Sequence, residues 1–187
     1  MKGSAVRLRR GAVTVEGERL FWKRKKADET ALPADDRIMV GWREWVALPA
    51  LGIPAIKAKV DTGARTSAIH AYKVHRYRAD GGDRLSFLLH PNQDDDAFEV
   101  PCEAPLLDLR EITSSNGQKQ RRFVIETELQ LGEARYPIEL TLTNRDEMGF
   151  RMLLGRRALK DHCLVDPAAS YLTRPKPKKK KRPSGAR

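Results

Sequence analysis

The chain has 187 residues, a formal net charge of +11 and two cysteines. With 40% hydrophobic residues it can bury one domain with length left for arms, while two cysteines rule out a disulfide framework and no apolar run reaches secretory or membrane-spanning length. The charge sits at the ends: residues 174–187 carry eight Lys or Arg and no acid, residues 1–37 carry ten against six, and residues 38–173 carry 18 against 19. The expectation is a cytoplasmic protein with reduced thiols, a near-neutral folded region and no membrane contact.

Residues 1–37 read as a basic N-terminal extension. It holds a small hairpin, 12–15 and 20–22 around Glu16-Gly17-Glu18, and then the run Lys23-Arg24-Lys25-Lys26. From Ile38 onward, short apolar stretches cut by Gly, Pro and Asn predict a mostly β domain over 38–173. Trp42 and Trp45, three apart, would lie on opposite faces of a strand, one in the core and one at an edge.

Further on, Ile56, Ala58 and Val60 share one face of a predicted strand and Lys57, Lys59 and Asp61 the other. Asp61 therefore leaves the strand on its polar side, just before the chain turns at Gly63. Asp80-Gly81-Gly82-Asp83 and Ser114-Ser115-Asn116-Gly117 read as hairpin turns, Asn-Gly supplying the positive φ angles such turns need. Asp94-Asp95-Asp96 reads as a solvated loop, since calcium loops space their acids and add a glycine.

Phe123, Ile125, Thr127, Leu129 and Leu131 alternate with Val124, Glu126, Glu128 and Gln130, and Ile138, Leu140 and Leu142 repeat the pattern. A short helix is predicted after Met152-Leu153-Leu154-Gly155, where 156–161 lacks breakers and β-branched residues. Asp166, before Pro167, reads as a turn acid after a strand. Residues 174–187, rich in Lys and Pro, have no apolar area to offset ordering entropy and read as a disordered tail. Weak polyanion binding is expected of that tail, without base stacking, because no aromatic residue stands between its lysines.

The run with chemical content is Val60-Asp61-Thr62-Gly63-Ala64. Aspartyl hydrolysis needs two carboxylates at hydrogen-bonding distance that share a proton and act as acid and base together. The chain has one such run, so the second carboxylate would come from another subunit or from Asp166. No metal site is expected: His70, His75, His90 and His162 form no His-Glu-x-x-His helix, and Cys102 and Cys163 suit no common zinc spacing. No phosphate-binding glycine loop is present, so no cofactor is expected, and any ATP dependence would have to come from a partner.

Three motifs occur in order: Lys59-Val60-Asp61-Thr62-Gly63-Ala64, a glycine-bearing hairpin at Gly117, and Met152-Leu153-Leu154-Gly155-Arg156-Arg157-Ala158-Leu159. That order resembles the retropepsin-like aspartic peptidases. Over about 38–173 the chain looks most similar to the bacterial retropepsin-like family that carries the label ATP-dependent zinc protease, through Val40-Gly41-Trp42-Arg43-Glu44-Trp45, Ala58 to Ser67, and Leu154-Gly155-Arg156.

The resemblance implies a closed β-barrel with one short C-terminal helix. It implies Asp61, Thr62 and Gly63 as catalytic residues, and Ala64, Arg65, Ser115, Asn116 and Gly117 as substrate contacts. Leu154, Gly155 and Arg156 would be structural supports beside them. The flap would be the hairpin 111–123, whose donors and positive charge suit a polar or acidic peptide; the turn at Gly81-Gly82 is its rival. Retroviral enzymes have an acid where this chain has Arg65, so Arg65 and Arg156 would repel unless Glu44, Asp161 or Asp166 receives one of them. The functional expectation is a homodimeric aspartic endopeptidase that activates water between two Asp61 carboxylates. The alternatives are a non-cleaving peptide-binding module on the same fold and a basic-tailed protein associated with nucleic acid or ribosomes.

Overall fold

The computed structural model describes residues 36–79, 81–93, 98–113, 117, 119–144 and 149–173, and the backbone of 12–15 and 18–21. The chain divides into two compact units, Met1–Ala31 and Leu32–Arg187. In the first, β1 (Ala12–Val15) pairs antiparallel with β2 (Glu18–Phe21), Val15 opposite Glu18. The second strand thus starts two residues before the expected Leu20, because a two-residue connection already closes the hairpin.

The second unit begins with β3 (Ile38–Gly41) and β4 (Arg43–Leu48), then a 3-10 turn, Pro49–Leu51, which ends at Gly52 with φ +68°. Next come β5 (Ile53–Asp61), β6 (Ser67–His70), β7 (Tyr72–Ala79), β8 (Gly82–Leu89) and β9 (Val100–Pro105). The hairpin of β10 (Asp108–Thr113) and β11 (Lys119–Leu131) leads to β12 (Ala134–Thr143) and β13 (Met152–Gly155). Helix α1 (Arg156–Leu159) and β14 (Cys163–Asp166) complete the unit.

Seven strands form one sheet in the order β10-β11-β12-β6-β13-β5-β4, and β4 returns to β11 at Ala47 opposite Gln130. The return closes β11, β12, β6, β13, β5 and β4 into a ring and leaves β10 outside it, paired only along the start of β11. The mostly β, retropepsin-like barrel with one short helix is therefore what the chain forms. Its interior takes the apolar faces read from alternation: Ile56, Ala58 and Val60 from β5, Ile125, Leu129 and Leu131 from β11, and Ile138, Leu140 and Leu142 from β12 are all buried. Each such large side chain contributes about 1.5–3 kcal/mol by leaving water.

The stretch between β6 and β10 forms a separate antiparallel sheet, β7-β8-β9, which adds Leu85, Phe87, Leu89, Cys102 and Ala104 to the same core. Both cysteines are buried and free. Neither tryptophan is a core residue: Trp42 meets Phe150 edge-on at 5.8 Å and Trp45 stacks on Tyr171 at 6.0 Å. Arg43 lies over Trp42 and Tyr171 at 4.5 and 5.0 Å, and both rings are half-buried. No described helix is long and apolar enough to cross a membrane.

Candidate functional site

Asp61 is the last residue of β5, opposite Gly155 in the parallel pairing with β13. Its Oδ1 accepts the backbone N–H groups of Gly63 and Ala64, both at 3.0 Å, so the carboxylate shapes the turn that follows it. Oδ2 has Lys59 Nζ 4.0 Å away. Asp61 is half-buried while Thr62 and Gly63 are exposed. A carboxylate held this way keeps one oxygen for a bound peptide or water, from which it can accept a hydrogen bond or a proton.

The turn is fixed from below by the start of α1. Arg156 N–H donates to Ala64 O at 2.8 Å, Arg157 N–H to Arg65 O at 3.1 Å, and the Arg156 guanidinium to Thr62 O at 2.8 Å. Gly155 N–H donates to Ser67 Oγ at 3.1 Å, and Thr141 Oγ1 to Ser67 O at 2.9 Å. A side chain at Gly155 would put Cβ 2.5 Å from Thr66 C and 2.6 Å from Thr66 O, so only glycine lets the two backbones pass.

The expected rivalry between Arg65 and Arg156 is resolved without an acid. Arg156 takes a carbonyl, Arg65 is exposed, and none of the three acids proposed as acceptors receives either one. Glu44 is fully buried and accepts from Gly41 N–H, Leu172 N–H, Thr173 N–H and Thr173 Oγ1. Asp161 pairs with Lys160 at 3.5 Å, and Asp166 Oδ1 accepts Ala168 N–H at 2.8 Å, the turn role its place before Pro167 predicts.

Asp61 opens on a groove of about 920 Å³, within the size range of ligand sites. The loop 63–66 lines it, as do Lys59, Ala68, Thr141, Leu153 and Arg157, and on the hairpin side Arg110, Glu111, Ile112, Thr113 and Arg122. Ala64 and Arg65 thus border the groove, whereas Leu154, Gly155 and Arg156 are not on its lining, Gly155 and Arg156 instead bonding the loop and strand start at 62–67. Gly117, with φ +81°, turns the hairpin, while Ser115 and Asn116 lie outside the described residues, as do the Asp94-Asp95-Asp96 loop and the tail 174–187. The β7–β8 turn does not line the groove, and neither does Asp166, the in-chain candidate for a second carboxylate. Glu111, the other acid on the lining, pairs with Lys119 at 2.9 Å.

Among the described residues, five cations, Lys59, Arg65, Arg110, Arg122 and Arg157, share the lining with those two acids. Glu139, behind the lining, ties two of them: its Oε2 accepts Arg110 Nη1 at 2.6 Å and Arg157 Nη1 at 2.7 Å, which links the hairpin to the helix. The Arg110 guanidinium holds the Glu139 carboxyl below the usual carboxylate range, and Arg110 itself is raised by Glu139. Reading motifs left-to-right passed over Lys59, Arg110, Arg122, Arg157 and Glu139 as site residues. The signal was a pairing one: Arg110 and Arg122 fall directly opposite each other once the hairpin is closed around Gly117. No group of three or more metal-ligating side chains is present among the described residues.

Over the matched segment, curated relatives are identical to this chain at about half of the positions. A protein of Shewanella pealeana named "Probable alpha-L-glutamate ligase" is 49% identical over 138 residues, 74% of this chain and 30% of its own length. Another of that name from Desulfotalea psychrophila is 50% identical over 130 residues, 70% of this chain and 28% of its own length. The chain therefore spans about 30% of the length of the curated relatives it matches. The crystal structure of a Legionella pneumophila protein of unknown function superposes with a TM-score of 0.62 at 26% identity, covering 73% of this chain and 98% of that one.

These findings correct the functional expectation of a homodimeric endopeptidase that splits peptide bonds between two Asp61 carboxylates. The relatives are named for joining glutamate, and neither for aspartic proteolysis nor as zinc proteases. Within the described residues of this one chain, Asp61 meets two N–H groups and an ammonium, and Asp166 is not beside it. The family match covers residues 39–176, nearly the whole barrel and the segment after it. On that match the chain belongs to the RimB-like family, described as the retropepsin-like aspartic endopeptidase RimB.

Proposed function

We propose that this domain serves α-L-glutamate ligation by holding the glutamate-bearing peptide, acceptor or product, in the cationic groove beside Asp61. The observation that carries the reading is the groove's charge. Among the described residues, five cations against two acids line a hollow of about 920 Å³, while residues 38–173 as a whole carry 18 basic against 19 acidic residues. An acidic peptide is the ligand such a lining favours, through charge-assisted hydrogen bonds and electrostatic steering. The relatives' name supplies the amino acid: a ligase that adds glutamate makes an acidic chain.

The ATP-dependent joining step is not assigned to this domain. The sequence has no phosphate-binding glycine loop, and some 70% of each relative's length lies outside the match, room enough for the ligase chemistry. The family's description adds aspartic endopeptidase chemistry, for which Asp61 is the candidate carboxylate in the groove, Glu111 being paired with Lys119.

Fluorescence anisotropy with a peptide ending in four glutamates, against the same peptide ending in four glutamines, tests the reading. Tighter binding of the Glu form, weakening as salt rises, is the expected result; equal affinity overturns it. Mass spectrometry of the Glu peptide after incubation with wild type and with Asp61→Asn separates a groove that only holds the chain from one that also cuts it.

A further inference from the structure

The groove's cations are not equivalent. Arg110 donates to Asp108 Oδ2 at 2.9 Å and to Glu139 Oε2, Arg157 shares Glu139, and Lys59 has Asp61. Arg65 meets no carboxylate among the described residues, but it is exposed and water solvates it. Arg122 is different. It is half-buried, its Nε donates to the Gln120 side-chain oxygen at 2.9 Å, and among the described residues its guanidinium meets no carboxylate.

Register makes the position of Arg122 more costly still. Arg110 and Arg122 are direct cross-strand partners on β10 and β11, where side chains share a face, and like charges directly opposite destabilise a pair. Among the described residues, Arg110 is relieved by two acids and Arg122 by none. Burial accordingly pulls the Arg122 guanidinium below the usual arginine range, whereas Arg110 is raised. A partly desolvated cation without a counter-charge costs stability, and an arriving anion would remove that cost. With Nε spent on Gln120, the two terminal nitrogens of the planar fork remain for a carboxylate.

We infer that Arg122 is the specificity-determining residue of the groove, reading a carboxylate of the bound peptide while the Arg110–Glu139–Arg157 link holds its strand in place. This rests on the acidic-peptide reading above and narrows it to one receptor. Glutamine, which lacks the charge, leaves the guanidinium unpaired and is rejected.

The experiment compares full-length wild type, Arg122→Gln, Arg122→Lys and Arg65→Gln by anisotropy. The labelled peptides end in four glutamates as free acid, four glutamates as C-terminal amide, or four glutamines, and thermal melts are recorded on every variant. Arg122→Gln is expected to lose roughly tenfold or more in Glu affinity, the worth of a charge-assisted hydrogen bond. Its Gln affinity should stay within about twofold, and its melting temperature should equal or exceed wild type, because the unpaired cation is gone. Arg122→Lys keeps the charge without the fork and falls between the two. Arg65→Gln, at an exposed position, costs no more than about threefold.

An equal loss with the acid and the amide assigns the contact to side-chain carboxylates, and a loss confined to the acid assigns it to the C-terminal one; both support the inference. If wild type prefers glutamate and Arg122→Gln keeps that preference, or if Arg65→Gln abolishes it equally, Arg122 is not the receptor and the groove reading survives. If wild type does not distinguish glutamate from glutamine, that reading fails and takes this inference with it.

Discussion

Replacing Gly155 with alanine probes the joint on which the Asp61 turn is built. The added Cβ would lie 2.5 Å from Thr66 C, 2.6 Å from Thr66 O and 2.8 Å from Ser67 N, all backbone atoms that cannot rotate away. Either β13 or the 62–67 loop must shift, which puts at risk the Gly155 N–H to Ser67 Oγ bond and the neighbouring Arg156 N–H to Ala64 O bond. Overpacking costs about 1–3 kcal/mol and a lost hydrogen bond about 1, together roughly 2–4 kcal/mol. For a folded region of this size that corresponds to a fall of roughly 6–16 °C in melting temperature. Gly63→Ala is the control, since its Cβ would meet only Asp61 Oδ1 at 3.2 Å, the end of a side chain; it should cost under about 1 kcal/mol. Calorimetric or circular-dichroism melts decide the matter, with glutamyl-peptide binding as second readout. A Gly155→Ala protein melting within about 2 °C of wild type with unchanged binding would refute the close-passage argument.

Glu44→Ala should free the segment at 170–173, because the fully buried carboxylate accepts the N–H groups of Leu172 and Thr173; hydrogen exchange at those amides should rise, and overall stability should fall by about 1–3 kcal/mol as those donors lose their acceptor. Glu139 titrates below the ordinary carboxylate range because Arg110 and Arg157 hold its charged form. The link it makes is therefore complete above the unfolded-state value of about 4.3 and is lost only as pH falls through the lower folded value, a sequence that carbon NMR of the Glu139 carboxyl, read with amide exchange in β10, would follow. Desolvation pushes Cys102 and Cys163 up to about 11, so both should resist a thiol reagent at neutral pH and react promptly in denaturant.

Strand alternation was legible wherever one face is apolar and the other polar, as in β5, β11 and β12, since burial selects that period directly. The hairpin turns and the start of α1 were legible too, through glycine and through the absence of breakers. Two kinds of information were not. Glu44 sits in an alternating strand that gives no sign of a buried acid; its partners are N–H groups of residues 128 and 129 positions away, which only the folded chain brings there. The cations of the groove come from β5, the loop after it, β10, β11 and α1, and their shared surface depends on ring closure and on hairpin register. Of the site itself, Asp61 and its turn could be read from the sequence, because a carboxylate two residues before glycine carries a local signature. Its electrostatic surroundings could not, being wholly non-local.

Chemical-shift mapping of the full-length protein, titrated with the peptide ending in four glutamates, tests most directly whether the groove receives an acidic chain. The amides of Arg65, Arg110, Arg122 and Arg157 should move together and saturate, while the glutamine peptide leaves them near their starting positions. Shifts confined to the basic residues of 1–37 and 174–187, with those four amides unmoved, would contradict the account.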